Sequence, residues 1–318
     1  MYFLNMCSKI VLGNFTMNHV NSVEISENIL EISNTAKITI PRQTIKEGYL
    51  DSHFSVGDKV EIWLGYNKNL ILEFTGYIRE IEASAPLIIH CDDDTFILRR
   101  TNFVESYSNA SLSQILKDVL KDTGIVFECP EVQIGKYQID NQNAFMVLQD
   151  LMKNFGLYSR LENGVLKIGL AFSYGQNVKP HKYIIGHNVK KSELKYQRKE
   201  DFKIRFNAIA HNPNGTKTKV TVGSTEQDAS ERTLNFIGPV TEQELRNRAI
   251  NVMKKVVYDG YTGSITGFGI PCTRAGHSLN IKDKEELERD GTYLIEKLTI
   301  IYDESNGFER KNELTFRL

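Results

Sequence analysis

Short runs in which apolar and polar residues alternate one for one constrain this chain more than any other feature. They read "SVEIS" (22–26), "AKITIP" (36–41), "DKVEIWLGY" (58–66), "LILEFTGYIREIEA" (70–83) and "PLIIHC" (86–91). A period of two sends every second side chain to one face, as in a half-buried strand, and does not match the period of about 3.6 of a helix. Ile, Val, Tyr and Phe fill the runs, and Gly57-Asp58, Gly65, Gly76 and Pro86 break them where turns or bulges belong. That many strands in about a hundred residues imply a small barrel or sandwich over residues 1–102. "YNKN" (Tyr66 to Asn69) is the tightest expected hairpin.

A second zone, residues 103–177, changes period. In "SNASLSQILKDVLKDTGIVFE" (108–128), Leu112, Ile115, Leu116, Val119 and Leu120 recur at steps of three and four, the spacing of one helix face. Ser111 with Gln114 forms a capping-box pattern, and Gly124 is placed to end the helix. "GIVFE" reads as a strand, and a second helix carries Phe145, Leu148, Leu151, Met152 and Phe155 on one face with Gly156 after it. "LYSRLENGVLKIGL" reads as a hairpin turning at Asn163-Gly164. Helix, strand, helix and hairpin make a compact α+β domain.

The third zone, 178–318, returns to alternation in "DFKIRFNAIAH", "KTKVTVG", "YTGSITGFG", "HSLNIKD", "TYLIEKLTIIYD" and "NELTFRL". One helix, about 241–258, interrupts it, with Thr241 and Glu244 as a capping box and Leu245, Ala249, Val252, Met253 and Val256 as its inward stripe. "HNPNGTK" (211–217) and "DGTY" (290–293) read as turns. A faint echo links the outer zones: "VGDKVEI" followed by "TGYIREIE" resembles "AGHSLNI" followed by "TYLIEKLT", in the same order. The expected fold class is therefore mainly β with an α+β insert: two similar small β-barrel domains flanking a compact α+β domain, the second barrel carrying one helix.

Composition limits what such a chain does. Its 318 residues hold 39 Lys plus Arg against 40 Asp plus Glu, so no net field draws it to nucleic acid or an anionic membrane. Cys7, Cys91, Cys129 and Cys272 are scattered, without a Cys-x-x-Cys pair, and fit neither a disulfide framework nor a zinc ribbon. The start, "MYFLNMCSKIVLGNF", has Lys9 as its one basic residue and an apolar run broken at Asn5, which is not the pattern of a signal peptide; Leu4 to Cys7 is a poor lipoprotein box. No apolar run reaches the roughly 18 residues of a membrane span. Synthesis and folding in the cytoplasm are expected.

Each candidate for chemistry gives way to a plainer reading. "HCDDD" (His90 to Asp94) groups possible metal ligands, but its spacing is neither that of an EF-hand nor of a zinc site, and a strand end with solvated acids is expected. His181 and His187 lack a carboxylate at fixed spacing and read as surface histidines. "GFGIP" (267–271) has no following helix to present N–H groups to a phosphate, so a strand bulge is expected. No nucleophile elbow, His-Glu-x-x-His or Gly-Lys-Ser/Thr loop occurs. The basic stretch 188–205 is diluted by Glu193, Glu200 and Asp201 and reads as solvated strand and linker; Asn14, Asn109 and Asn214 in Asn-x-Ser/Thr patterns carry no weight in a chain without a secretory signal. The expected catalytic, cofactor-binding and metal residues are none.

The whole pattern is more informative. "NTAKITIPR … FSVGDKVEIWLGY … LEFTGYIREIEASAPLIIHCDDDTFIL" resembles the first domain of phage tail baseplate hub proteins, the late control protein D and VgrG-like group. "FVESYSNASLSQILKDVLKDTGIVFE" with "QNAFMVLQDLMKNFGLYSRLENGVLKIGL" resembles that group's inserted α+β domain, and "GHSLNIKD … GTYLIEKLTIIYDESNGFERKNELTFRL" the closing strands of its second barrel. The resemblance implies a non-enzymatic hub. Three copies of a two-barrel chain would present six near-equivalent barrels to a six-fold tail tube protein while staying three-fold toward a spike. VgrG-type chains continue into an oligonucleotide-binding-like domain and a needle; this one stops at Leu318, so a separate spike protein is expected. The implied partners are further copies of the chain as a homotrimer, the tube, the spike and a tape-measure protein, with DNA only in transit and no stable membrane association. A neutral conduit suits passage better than a basic lining would. The implied location is the bacterial host cytoplasm during assembly, then a virion tail baseplate or injection apparatus. The alternative is a peptidoglycan- or carbohydrate-acting tail protein using paired carboxylates, which needs only two acids at the right separation.

Overall fold

The computed structural model describes residues 5–41, 44–45, 48–49, 53–155, 157–162, 164–169, 180–212, 215–237, 240–285 and 290–318. The chain opens with nine strands: β1 (Met6–Leu12), β2 (Phe15–Met17), β3 (Ser22–Asn28), β4 (Thr35–Ile40), β5 (Thr44–Ile45), β6 (Gly48–Tyr49), β7 (Lys59–Tyr66), β8 (Asn69–Glu82) and β9 (Leu87–Asp92). Alternation decides their faces: Val23 and Ile25 of β3, Ile38 and Ile40 of β4, and Val60, Ile62 and Leu64 of β7 are all buried. The "YNKN" turn is tight as expected, with Tyr66 opposite Asn69 and positive φ at Asn67 and Lys68.

Beyond a 3-10 turn at Asp94–Arg99 comes an α+β unit: β10 (Asn102–Ser111), α1 (Leu112–Leu120), β11 (Val126–Glu128), β12 (Gln133–Asn143), α2 (Ala144–Phe155), β13 (Tyr158–Glu162) and β14 (Val165–Gly169). Ser111 caps α1 by accepting from the Gln114 N–H, and the expected stripe of Leu112, Ile115, Leu116, Val119 and Leu120 is buried. β13 and β14 form the expected hairpin with Gly164 at φ +78, while Asn163 of that turn and Gly156 lie outside the described residues. The ribbon of β10 and β12 has no counterpart in the sequence expectations, because its strands are largely polar and exposed and its register shifts repeatedly.

The remaining elements are β15 (His181–Ile184), β16 (Val189–Gln197), β17 (Ile204–His211), β18 (Lys217–Gly223), β19 (Ser230–Ile237), α3 (Glu242–Val256), β20 (Gly260–Phe268), β21 (Ser278–Lys282), β22 (Gly291–Asp303) and β23 (Gly307–Arg317). Strands β18-β17-β19 form their own sheet, and Phe206, Ala208 and Leu234 pack with Leu245 and Ala249 of α3 in a core distinct from the main one. The Thr241–Glu244 capping box is present in both directions. This unit enters and leaves by a narrow neck where the Lys199 N–H donates to the Asp259 carboxylate at 2.9 Å. "DGTY" is not a turn: Gly291 to Tyr293 already belong to β22. Pro213 and Asn214 of the "HNPNGTK" turn and the 177/178 boundary lie outside the described residues.

No closed barrel forms among the described residues. One 13-stranded sheet instead runs β16-β20-β23-β22-β3-β4-β9-β8-β7-β1-β2, with β21 and β15 hanging from β22. The two repeats are joined edge to edge: the C-terminal half of β22 pairs with β3, from Lys297 opposite Asn28 to Asp303 opposite Ser22. A single apolar core draws on both outer zones, with Ile25, Ile38 and Ile62 beside Leu279, Ile281 and Ile300.

The two halves of this sheet have one topology. The order β3-β4-β9-β8-β7 is matched by β16-β20-β23-β22-β21, every pair antiparallel and with chain order preserved. The match extends to single hydrogen bonds. Gly57 N–H donates to Ile78 O and Ile78 N–H to Asp58 O; Gly276 N–H donates to Ile295 O and Ile295 N–H to His277 O. Each of these turns puts its glycine at positive φ, +92 and +84. A bulge follows at the same step in both, between Ile78 and Glu80 and between Ile295 and Lys297.

Candidate functional site

The place where charge, burial and the joining of the repeats converge is the seam between them. In β23, Arg310 and Asn312 stand in phase with inward-facing Phe308 and Leu314, so the strand pattern itself carries a guanidinium into the core, where Arg310 is 0% exposed. Its ion-pair partner is Glu73 of β8, on the other repeat and also buried. Glu73 is the extra residue of a bulge: Ile62 lies opposite Phe74 and Trp63 opposite Leu72, leaving Glu73 out of the ladder. Such a bulge re-aims a side chain, here into the core.

Arg310 also donates Nε to Gly269 O at 2.7 Å and Nη1 to Thr273 O at 3.1 Å. Arg274, in the loop before β21, reaches Glu73 Oε2 at 2.8 Å, Glu73 O at 3.0 Å and Glu27 Oε1 of β3 at 2.8 Å. Glu27 Oε2 in turn accepts from the Ala275 N–H at 3.1 Å. Burial opposes the charge on Arg274, and Glu27 and Glu73 more than offset it, holding its pKa above the ordinary value. Two acids from the first repeat and two arginines from the second thus neutralise one another, as buried charges must. Tyr66 completes the joint by donating to Phe308 O at 2.8 Å and accepting from the Gly269 N–H at 3.2 Å.

"GFGIP" belongs to this joint. A Cβ on Gly269 would lie 2.2 Å from the Phe308 ring, so only glycine lets the chain pass so close. The bulge expected within this motif is not there: Gly267 and Phe268 pair regularly with Arg310 and Glu309, and the register slips instead on the neighbouring strand, between Val189 and Lys191.

Two of the three acids of "HCDDD", Asp92 and Asp93, are buried rather than solvated, and Asp94 is half-buried. Asp92 is fully buried and takes Arg79 at 3.0 Å and Arg99 at 3.2 Å, while the Arg99 guanidinium lies 3.5 Å over the Phe145 ring of α2. Asp93 accepts from Asn34 N–H, Thr95 N–H, Thr95 Oγ1 and Ser33 Oγ. Burial pushes its carboxyl up to about 6 against the pull of those donors. The motif roots the α+β unit onto the sheet: the outward-turning acids of a solvated strand end are drawn in by arginines and backbone N–H groups that no spacing rule reveals. His90 holds Glu82 at 2.7 Å.

His181 is half-buried rather than on the surface, stacking on His277 with their nitrogens 3.1 Å apart; His187 is exposed. Burial is the main cause that lowers the pKa of both His181 and His277, with Arg310 adding to it for the first and His181 itself for the second. Five of the seven cations of the stretch 188–205 are paired with nearby acids, Lys190 with Glu309, Lys191 with Glu193, Arg198 with Glu200, Lys203 with Glu226 and Arg205 with Glu231, which weakens the field offered to a polyanion. The four cysteines form no disulfide, and the described residues hold no group of three or more His, Cys, Asp or Glu placed to hold a metal. No described helix is long and apolar enough to cross a membrane.

No protein-family model and no curated protein matches the chain. Solved structures do match in fold. A tail protein from Neisseria meningitidis MC58 superposes with a TM-score of 0.65 at 14% identity, covering 98% of this chain and 96% of its own. A 43 kDa tail protein of prophage MuSo2 from Shewanella oneidensis gives 0.61 at 18% identity, covering 97% of each chain. The E. coli c3393 protein, described as a type VI secretion component similar in structure to T4 tail proteins gp27 and gp5, gives 0.56 at 10% identity over 93% of this chain and 73% of that one. The chain has the fold these tail and secretion proteins share.

Proposed function

We propose that the chain is a structural, non-enzymatic baseplate hub of a contractile phage tail or a related injection apparatus. In this reading three copies assemble into a ring of pseudo-six-fold symmetry that adapts a tail tube to a separate central spike, after assembly in the bacterial cytoplasm. The repeats, residues 1–102 and 178–318, supply the six like units, and residues 103–177 form the α+β insert that fixes the angle between them. A tape-measure protein and DNA are transient occupants of the ring.

One observation carries the reading: two repeats of identical strand order, bulge and turn hydrogen bonding are joined edge to edge by β22 and β3. A chain built this way is already one third of a six-membered ring, and closed cyclic assembly limits such a ring to a fixed size. The full-length match to tail proteins supports the same role.

Light scattering coupled to gel filtration tests it. A particle of three times the chain mass is expected, alone or on co-expression with a tube protein; a monomer at high concentration in both settings would overturn the ring. Release of soluble fragments from peptidoglycan, abolished by replacing a specific acid, would overturn the non-enzymatic assignment.

A further inference from the structure

β22 is a shared strand. Its first residues pair with β21, and its later ones pair with β23 on one edge and β3 of the other repeat on the other. Its counterpart β8 pairs with β7 through Tyr77 and with β9 from Tyr77 onward. Beyond the bulge, however, residues Glu80 to Glu82 carry a ladder, among the described residues, on the β9 edge alone. The counterpart of β3 is β16, and β16 is the terminal strand of the sheet among the described residues. Its inward-phase positions are also less covered: Val23 and Ile25 are fully buried in β3, whereas Ser192 is exposed and Leu194 half-buried in β16.

We infer that the outer edge of β8 at Glu80–Glu82 pairs with β16 of a second copy of this chain, in the register that β22 and β3 use within one copy. The inference rests on the ring reading above and assigns its inter-copy joint. The ladders fix the correspondence. Glu80 lies opposite His90, His90 opposite Lys37 and Lys37 opposite Glu24; Lys297 lies opposite Glu313, Glu313 opposite Ser264 and Ser264 opposite Glu193. Glu80 therefore corresponds to Lys297 and Glu24 to Glu193.

Within the chain, Lys297 faces Asn28 and Thr299 faces Ser26. Between copies the same register sets Glu80 against Gln197 and Glu82 against Lys195. The Ile29 N–H donates to Glu296 O one step further along, so both facing pairs fall at non-hydrogen-bonded positions. There the α-carbons of antiparallel strands approach to about 4.5 Å, and opposite charges directly across attract. Glu80, Glu82 and Lys195 are exposed in the single chain, and Glu82 reaches His90 with one oxygen, leaving the other for Lys195.

Copies carrying Glu80→Cys mixed with copies carrying Gln197→Cys test the joint, because a bond between them is intermolecular by design and the spacing suits a disulfide. After unfolding, mixing, refolding and mild oxidation, a covalent dimer is expected that neither variant gives alone. A Glu80→Cys with Tyr196→Cys mixture, one residue out of register, is expected to give at least tenfold less. As a second reading, Lys195→Glu is expected to weaken self-association about tenfold and Glu82→Lys with Lys195→Glu to restore it. A trimer without the Glu80–Gln197 bond, or with equal bonding out of register, overturns this joint and spares the ring; a wild-type monomer both alone and on co-expression with a tube protein overturns both.

Discussion

Replacing Glu73 by alanine removes the one carboxylate that both Arg310 and Arg274 grip across the seam. Arg310 is 0% exposed and keeps, among the described residues, the carbonyls of Gly269 and Thr273 and the Phe308 ring 5.7 Å away, none of which carries a full charge. Stranding a buried charge in this way costs about 3–5 kcal/mol. At about 2.1 cal/mol/K of unfolding entropy per residue, a chain of this length melting as one unit loses about 4.5–7.5 °C. The double change Glu73→Leu with Arg310→Met removes both charges, and buried pairs replaced by apolar groups of similar volume come out near neutral. The double variant is thus expected to be more stable than Glu73→Ala by at least about 2 kcal/mol, with strongly non-additive single effects. Denaturant melts of wild type, Glu73→Ala, Glu73→Leu, Arg310→Met and the double variant check this. A loss below about 1 kcal/mol for Glu73→Ala, or additive single changes, would refute the buried clamp.

Two further outcomes follow from the same geometry. Gly76→Ala would place a Cβ 2.1 Å from the backbone oxygen of Asp92, with no side chain to yield, so a loss of several kcal/mol, of the order seen for severe core strain, is expected in a chemical melt, whereas Gly164→Ala, with open space around it, costs only its positive φ. His181 and His277 have pKa values lowered by burial, so the unfolded chain binds protons more readily than the fold does, and stability is expected to fall as the pH drops below the ordinary histidine value of about 6.5. In His277→Asn that part of the pH dependence is expected to flatten in paired melts at pH 7 and pH 5.

The strands and helices were readable wherever one face is buried. Alternation marks β3, β4 and β7, and the stripe from Leu112 to Leu120 marks α1, because in each case a single local period decides which side chains leave water. The β10–β12 ribbon was not readable, since polar residues such as Ser106, Asn109 and Gln138 carry no such period. The echo between "VGDKVEI" and "AGHSLNI" pointed to matching turns, as their hydrogen bonds show. What no local pattern reveals is the use of an edge: the pairing of β22 with β3 joins residues almost a whole chain apart, so two barrels were expected where one continuous sheet forms. Of the seam residues, Arg310 and Glu27 sit in phase with apolar neighbours and are visible as misplaced charges, but Glu73 is turned inward by a bulge and is not.

The neck at Lys199 and Asp259 brings the two ends of the β16–β20 connection together, so a unit with its own core fits between two paired strands. In the first repeat the same connection, β3 to β4, spans only residues 29–34. Stretching it to about sixty residues adds about 2 kcal/mol of closure entropy, which a self-folding guest with its own core offsets. The insertion leaves the pairing of β16 with β20 intact, and the guest touches its host through His211, whose ring lies 5.4 Å from that of Phe155 in α2.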